Sequence, residues 1–158
     1  GDNYHPTNSH VVPSLIKRFY DAKLFNKDKV VCWGSGNPRR EFLHVNDLAE
    51  AVLFVLRYWN PSSSEAPLSK EGNPLLHLNV GTGVDISIKS LAIEIANIIG
   101  YEGKLVWNAK KPDGTPKKLL DISKISQLGW SSKINLTQGL IDTFENFKQE
   151  LSSGRLRN

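Results

Sequence analysis

Helix-like and strand-like segments alternate along this chain, and that alternation constrains the fold more than any other feature of the sequence. Apolar residues recur at spacings of three and four over residues 11–24, which predicts an amphipathic helix with Asn8 or Ser9 as its N-cap. The short apolar run at residues 30–33 ends at Gly34, so it predicts a strand followed by a turn. The alternation therefore predicts an α/β fold.

The remainder of the chain continues the same pattern. Asp47 and Glu50 resemble a capping box, so Asn46 or Asp47 is expected to begin a helix that runs to about residue 58. Ser87 and Gly100 are expected to cap the two ends of another helix. The other predicted segments are strands at 41–45, 75–80 and 104–107, a loop at 60–73, and helices at 123–128 and 136–151.

The length of 158 residues allows one compact domain, which we expect over residues 1–151, with 152–158 as a frayed tail. The chain contains no Met and opens on Gly1, so we expect it to be a piece of a longer protein. Its one cysteine cannot form an internal disulfide, which favours a reducing compartment and predicts a cytoplasmic protein. We expect no membrane contact, because no apolar run approaches the ~20 residues of a membrane span.

The formal net charge of +4 suits an anionic small molecule as well as a polyanion. Residues 110–118 concentrate four lysines and Asp113, so they form either a loop that folds over a diphosphate or an ordinary charged surface loop. A basic module that binds nucleic acid is a further alternative, but no reader motif supports it, and we expect no nucleic-acid partner.

Two Gly-x-Gly triplets, beginning at Gly34 and Gly81, lack the third glycine of a dinucleotide fingerprint and are interpreted as tight turns rather than phosphate loops. No pair of histidines or cysteines has a spacing suited to one metal ion, so no metal site is expected. Trp33 and Arg40 flank a glycine-rich turn and are suited to a nucleotide, although composition alone favours a core Trp with solvated arginines. Cys32 is interpreted as a small core residue.

Five motifs together resemble the GDP-L-fucose synthases, a family of extended short-chain dehydrogenases. They are Asn-Ser-His-Val-Val-Pro at 8–13, Trp-Gly-Ser-Gly at 33–36, Arg-Glu-Phe-Leu-His-Val at 40–45, Asn-Val-Gly-Thr-Gly at 79–83 and Lys-Pro-Asp-Gly-Thr-Pro at 111–116. Their order and spacing match the family from residue 1 to about residue 147, nearly the whole chain.

The resemblance implies an enzyme that epimerises GDP-4-keto-6-deoxy-D-mannose at C3 and C5 and then reduces C4 with NADPH to give GDP-L-fucose. It implies that His10 is the acid of the epimerisation and also contacts NADP, and that Asn8 and Ser9 shape the loop on the cofactor side. The residues that it implies as contacts of the GDP-sugar are Arg18, Trp33, Arg40 and Lys118.

The family's glycine-rich cofactor motif, its Tyr-x-x-x-Lys pair and its catalytic Ser and Cys have no counterpart here, and Cys32 does not match that Cys. The resemblance thus implies the C-terminal, substrate-binding part of such an enzyme, inactive by itself, with NADP bound mainly by the missing half. Segments 42–58 and 75–80 resemble pieces that pair with the missing Rossmann sheet, so we expect uncovered apolar faces and a homodimer or irregular covering. The alternative is another NAD(P)-dependent nucleotide-sugar epimerase or dehydratase.

Overall fold

The computed structural model describes residues 2–157 of the chain. In order, the elements are α1 Val11–Leu24, β1 Lys29–Trp33, β2 Arg39–Glu41, α2 Val45–Tyr58, β3 Asp85–Ser87, α3 Ile88–Ile99, β4 Lys104–Asn108, β5 Lys117–Lys118, α4 Ser123–Gln127 and α5 Leu136–Ser152. The chain divides into two compact units: Gly1–Arg39, Ile86–Pro116 and Thr137–Asn158 form the first, and Arg40–Asp85 and Lys117–Leu136 form the second. The predicted α/β class is confirmed.

The first unit is built on β1 and β4, which pair in parallel with Val31 opposite Val106 and Trp33 opposite Asn108. Helix α1 packs on α3 and on β1. Side chains alternate along β1, so Val30 is buried on the side that faces the helices while Val31 is exposed. The core of this unit includes buried apolar side chains from α1, β1 and α3, namely Leu15, Ile16, Phe19, Ala22, Cys32, Leu91, Ile95 and Ile99.

Local sequence signals explain both ends of α3. The Ser87 side chain accepts a hydrogen bond from the Ser90 amide at 3.0 Å, and Gly100 ends the helix with φ of 71° in the left-handed region. Both caps confirm the prediction. Helix α1 also has the predicted bounds, but its N-cap is His10 without a side-chain hydrogen bond, so the proposed capping by Asn8 or Ser9 is wrong.

Aromatic side chains join α5 to the N-terminal segment of the first unit. The ring of the buried Phe147 lies 4.8 Å from the ring of Tyr4 and 5.2 Å from that of Tyr20. The Tyr4 amide donates to the Arg157 carbonyl at 2.8 Å, beside a bridge between Asn3 and Arg157. Residues 152–157 are the described part of the segment that was expected to fray. Ser152 is the last residue of α5, and the Arg157 carbonyl accepts from Tyr4, so both ends of this segment make backbone contacts.

The second unit contains α2, α4 and the neighbouring strands β2 and β5. Its core is formed by Ala51, Ile125 and Trp130, with partly buried apolar side chains around them. The carboxylate of Asp47, only 2% exposed, accepts hydrogen bonds from the backbone amides of Lys133 and Ile134 at 3.0 and 2.9 Å.

The predicted start of α2 is therefore wrong. The helix begins at Val45 with His44 as its N-cap, and the His44 ring accepts from the Asn46 amide at 3.3 Å. Asp47 is unavailable as a cap because both of its amide partners lie in the segment before α5. The predicted strand at 41–45 is correspondingly reduced to β2.

The strand predicted at 75–80 is also absent from the described chain, and Leu76 is 83% exposed. A strand requires a neighbour to share its hydrogen bonds, and no described strand pairs with these residues. Helix α2 exposes apolar side chains too, as expected for these segments; they are Val45, Leu48, Val52, Leu53 and Leu56. Within residues 2–157, no helix combines the length and hydropathy needed to cross a membrane.

Candidate functional site

Trp33 lies at the carboxyl end of β1 and is 51% exposed. The alternation along the strand buries Val30 and Cys32 and leaves Trp33 on the open side. The carboxyl edge of a parallel sheet is a common position for ligand sites, because the loops that follow adjacent strands meet there. The interpretation of Trp33 as a core residue, which composition alone favoured, is therefore wrong.

Two cationic groups lie over the Trp33 ring. The Arg18 guanidinium carbon is 5.2 Å and the Lys111 ammonium 5.0 Å from the ring centroid, both within the range of a cation–π interaction. Arg18 also donates from Nη1 to the Val31 carbonyl at 3.2 Å, which ties the guanidinium to β1. The structure thus brings together two of the predicted residues, Arg18 and Trp33, and adds Lys111 to them.

The turn after β1 is held by a carboxylate from the basic loop. Asp113 accepts hydrogen bonds from the Ser35 amide at 2.6 Å and from the Ser35 hydroxyl at 2.7 Å, one on each of its two oxygens. These two hydrogen bonds lower the pKa of Asp113, with the hydroxyl making the larger contribution. Gly34 and Gly36 both have φ of 78°, so the turn uses the left-handed region at two positions.

A second carboxylate holds the turn at the other Gly-x-Gly triplet. In the second unit, Glu41 accepts from the amides of Thr82 and Gly83 at 2.7 and 2.6 Å and from the Thr82 hydroxyl at 3.3 Å. Its other oxygen accepts from the Leu120 amide at 3.1 Å. A side chain at Gly81 would place its Cβ 2.5 Å from the Glu41 carboxylate, so any larger residue there would displace that carboxylate.

Both triplets are therefore tight turns, as predicted. A phosphate loop needs free backbone amides that point at the ligand. The Ser35 amide is bonded to Asp113, and the amides of Thr82 and Gly83 are bonded to Glu41. The chain's own carboxylates fill the position that a phosphate group would need, and the sequence gives no local indication of this because the partners are distant along the chain.

Arg40 and Lys118 lie on the neighbouring strands β2 and β5 of the second unit. The Arg40 side chain is half-buried, whereas Lys118 is exposed. The adjacent Lys117 forms an ion pair with Asp85, 3.2 Å from ammonium to carboxylate. This ion pair involves Lys117 and not Lys118. Strands β2 and β5 thus position two of the predicted cations on one small sheet.

His10, Asn8 and Ser9 form the approach to α1. The His10 side chain is 89% exposed, and its Nδ1 lies 3.7 Å from an Asp2 carboxylate oxygen. The loop before it is shaped by His5, a residue that the sequence did not single out, whose Nδ1 accepts from the amides of Thr7 and Asn8 at 3.2 and 3.3 Å. The side chains at 8–10 offer amide, hydroxyl and imidazole groups, a donor set that fits the carboxamide and ribose hydroxyls of a nicotinamide cofactor.

Cys32 has none of the features of a nucleophile. It is buried in β1 as a free thiol, and burial raises its pKa more than the nearby Arg18 charge lowers it. The prediction of a small core residue is confirmed. Among residues 2–157, no three His, Cys, Asp or Glu side chains are grouped closely enough to hold a metal ion.

Comparison with known proteins finds that this chain is similar to nucleotide-sugar enzymes. Residues 1–66 match the NAD dependent epimerase/dehydratase family. The chain is 46% identical to the probable GDP-L-fucose synthase 1 of Oryza sativa subsp. japonica over 98% of its own length and 43% of the relative's. It is 49% identical to the GDP-L-fucose synthase of Escherichia coli strain K12 over 92% of its length and 44% of the relative's.

A solved structure gives the same result for the fold. The GDP-D-glycero-L-gluco-heptose synthase of Campylobacter jejuni, determined in the presence of NADPH, superposes with a TM-score of 0.77 at 31% identity. The superposition covers 94% of this chain and 49% of that one. This chain thus spans less than half the length of the curated relatives that it matches.

Proposed function

We propose that this chain, whose residues 1–66 match the NAD dependent epimerase/dehydratase family, is the GDP-sugar-binding portion of a GDP-L-fucose synthase. The substrate of the intact enzyme is GDP-4-keto-6-deoxy-D-mannose, and the product is GDP-L-fucose. The substrate-binding region comprises residues 1–151, and the portion by itself is catalytically silent. The names of the similar proteins support this assignment.

The observation that carries the proposal is the exposed Trp33 ring with Arg18 and Lys111 over it. One aromatic ring holds two cations at a single place on the carboxyl edge of the sheet, so positive charge is concentrated there. A nucleotide sugar combines planar and ring-shaped groups with a diphosphate that carries negative charge. That combination complements an aromatic side chain flanked by a guanidinium and an ammonium.

Arg40 and Lys118 are proposed as further contacts of the diphosphate. Arg40 is suited to paired hydrogen bonds with phosphate oxygens, while the exposed Lys118 acts as a point charge. Their placement on neighbouring strands supports a shared role.

His10 is proposed as the acid that returns a proton to the sugar during epimerisation. The C4 ketone acidifies the C–H bonds at C3 and C5, so inversion requires a proton donor on the opposite side from the base. An imidazole can both donate and accept a proton, and the high exposure of His10 leaves the ring accessible to a ligand. NADPH, when bound, supplies the hydride for the reduction at C4. Asn8, Ser9 and His10 would contact it.

We also propose a homodimer in the cytoplasm. The apolar side chains that α2 exposes would be covered by a second copy of the chain, which supports the dimer. The free thiol of Cys32 suits a reducing compartment. Light scattering tests the dimer, and a monomer at working concentrations would contradict it.

Titration of the 158-residue chain with GDP and with UDP, followed calorimetrically, tests the substrate class. We expect preferential binding of GDP. Arg40→Ala should raise the Kd for GDP about 10- to 150-fold, because a hydrogen bond to a charged group contributes about 1.5–3 kcal/mol. The matched control is Arg57→Ala on an exposed face of the same unit, which should leave the Kd unchanged.

Three outcomes separate the alternatives. Stronger binding of UDP than GDP would favour another nucleotide-sugar epimerase or dehydratase. Tight DNA binding that falls steeply with salt would favour a polyanion-binding module. Unchanged GDP affinity in Arg40→Ala would remove that residue from the site.

A further inference from the structure

We propose that His5 is a positioning residue that holds the turn before α1, and through that turn the imidazole of His10, in place for proton transfer. The part of this inference that concerns His10 rests on the proposed function, whereas the structure of the turn involves no ligand. His5 acts on the backbone that leads to His10 and not on the substrate, so its effect is one of orientation.

A single ring nitrogen closes the turn. The Nδ1 atom of His5 lies 3.2 Å from the amide nitrogen of Thr7 and 3.3 Å from that of Asn8. Backbone amides can only donate, so Nδ1 is the acceptor and the proton of the neutral ring is on Nε2. The Thr7 hydroxyl lies 3.2 Å from the same atom. Pro6 follows His5 and has the fixed φ that suits the second position of a turn. One side chain therefore determines the path of the backbone over residues 5–8.

Asn3 attaches the same turn to the rest of the first unit. Its Oδ1 accepts from the His5 amide at 2.9 Å, and its Nδ2 donates to the Asn8 carbonyl at 3.4 Å. Asn3 also forms a bridge with Arg157, whose carbonyl accepts from the amide of the buried Tyr4 at 2.8 Å. The beginning of the turn is thus fixed by contacts that do not involve the His5 ring. What the ring adds is the position of the residues that follow.

His10 comes directly after this turn. Ser9 alone separates it from Asn8, and on the other side the His10 carbonyl accepts from the Ser14 amide at 3.0 Å in the first turn of α1. The backbone of His10 is therefore held by the helix on one side and by the turn on the other. Its side chain makes no capping hydrogen bond, and its Nδ1 lies 3.7 Å from an Asp2 oxygen. The direction of the exposed imidazole thus depends on the backbone that His5 holds.

The turn is tested without ligand, by NMR measurement of amide hydrogen exchange in the 158-residue chain. His5→Ala should speed the exchange of the Thr7 and Asn8 amides about 2- to 10-fold, the factor that corresponds to one ordinary hydrogen bond. His5→Asn should restore the slower exchange, because its Oδ1 lies as many bonds from the backbone as Nδ1 does and also accepts. The exposed His77→Ala in the second unit is the control and should leave both amides unchanged. Equal exchange in wild type and His5→Ala overturns the proposal.

The effect on His10 is tested in the intact enzyme, through deuterium incorporation from D2O at C3 and C5 of GDP-4-keto-6-deoxy-D-mannose. NADPH is left out, so that proton transfer is observed without reduction at C4. A base takes the proton that leaves each carbon, and His10 returns a deuteron that it has taken from the solvent. His5→Ala should lower the rate of incorporation about 10-fold and leave the Kd for the substrate unchanged, because a misdirected acid affects the transition state and not the bound ground state.

Two matched variants separate orientation from a general loss of structure. His5→Asn should restore the rate, whereas His5→Gln should not, because its acceptor lies one bond further from the backbone. Thr7→Ala keeps the amide that His5 binds and should leave the rate unchanged. Equal rates in His5→Asn and His5→Gln overturn the positioning role, and this comparison decides the matter even if His5→Ala does not fold. An effect of Thr7→Ala as large as that of His5→Ala overturns it as well.

The two measurements keep this inference separate from the proposed function. If the wild-type enzyme incorporates no deuterium at either carbon, the proposed function fails and the role through His10 fails with it, while amide exchange still decides the structure of the turn. If the wild type incorporates deuterium and His5→Ala does so at the same rate, the proposed function stands and the positioning role is overturned.

Discussion

Replacing Glu41 by alanine tests whether one carboxylate organises the second unit. The wild-type side chain accepts hydrogen bonds from three backbone amides, those of Thr82, Gly83 and Leu120, and from the Thr82 hydroxyl. A hydrogen bond to a charged group contributes about 1.5–3 kcal/mol, but water replaces part of that at exposed donors. Gly83 and Leu120 are exposed and Thr82 is half-buried, so water can replace part of what Glu41 contributes. The net loss of free energy should therefore equal that of one or two such hydrogen bonds.

We therefore expect Glu41→Ala to lower the free energy of unfolding by about 2–4 kcal/mol. Glu41→Gln should lower it by about 1–2 kcal/mol, because its amide oxygen still accepts the three bonds from Thr82 and Gly83 while its NH2 group faces the Leu120 amide. Urea denaturation, followed through the emission of the buried Trp130 in the same unit, measures both losses. The exposed Glu65→Ala in the loop of that unit is the control and should change the free energy by less than about 0.5 kcal/mol.

Gly81→Ala reaches the same contact from the other side, because its Cβ would lie 2.5 Å from the Glu41 oxygen. If the carboxylate holds the turn, Gly81→Ala and Glu41→Ala together should cost little more than the larger single change. A loss of less than about 1 kcal/mol in Glu41→Ala would refute the reasoning. So would additive losses in the double variant.

The remaining predictions concern the first unit. Burial, reinforced by the charges of Glu150 and Asp2, raises the pKa of Tyr4 to about 12. Between pH 10 and 12 the folded chain keeps a phenol proton that the unfolded chain releases, so the free energy of unfolding should fall by about 1–3 kcal/mol as pH rises through this range, and Tyr4→Phe should abolish that part of the slope. Gly36→Ala should lower the free energy of unfolding by about 1–3 kcal/mol, because φ is 78° and the new Cβ would lie 2.8–2.9 Å from the Trp107 ring. Urea denaturation measures this loss, and an unchanged midpoint would contradict the prediction.

The helices were predictable because their signals are local. The bounds of α1 follow from apolar spacings within the segment, and those of α3 follow from Ser87 and Gly100, which lie at its two ends. Each signal and its consequence lie within a few residues of each other. The α/β class follows in turn from the order of such segments.

The errors arose where the deciding partner is distant along the chain. Asp47 resembles a helix cap, but its carboxylate is bonded to amides 86 and 87 residues away. The apolar run at 75–80 resembles a strand, but strand formation depends on a neighbour that the described chain does not provide. In β1 the uninterrupted apolar run conceals an alternation in exposure, so composition placed Trp33 in the core while the fold places it outside.

The two glycine-rich turns show what this distance means for function. Asp113 reaches Ser35 across 78 residues, and Glu41 reaches the amides of Thr82 and Gly83 across 41 and 42. Since these internal carboxylates occupy the amides of both turns, a diphosphate bound here depends on side-chain cations rather than on a backbone cradle. Side-chain cations at exposed positions are screened by salt, with a Debye length of about 8 Å at physiological ionic strength. If the proposed function holds, affinity for the diphosphate should depend on how rigidly the cations are held, and the cation–π contacts at Trp33 should then contribute to binding.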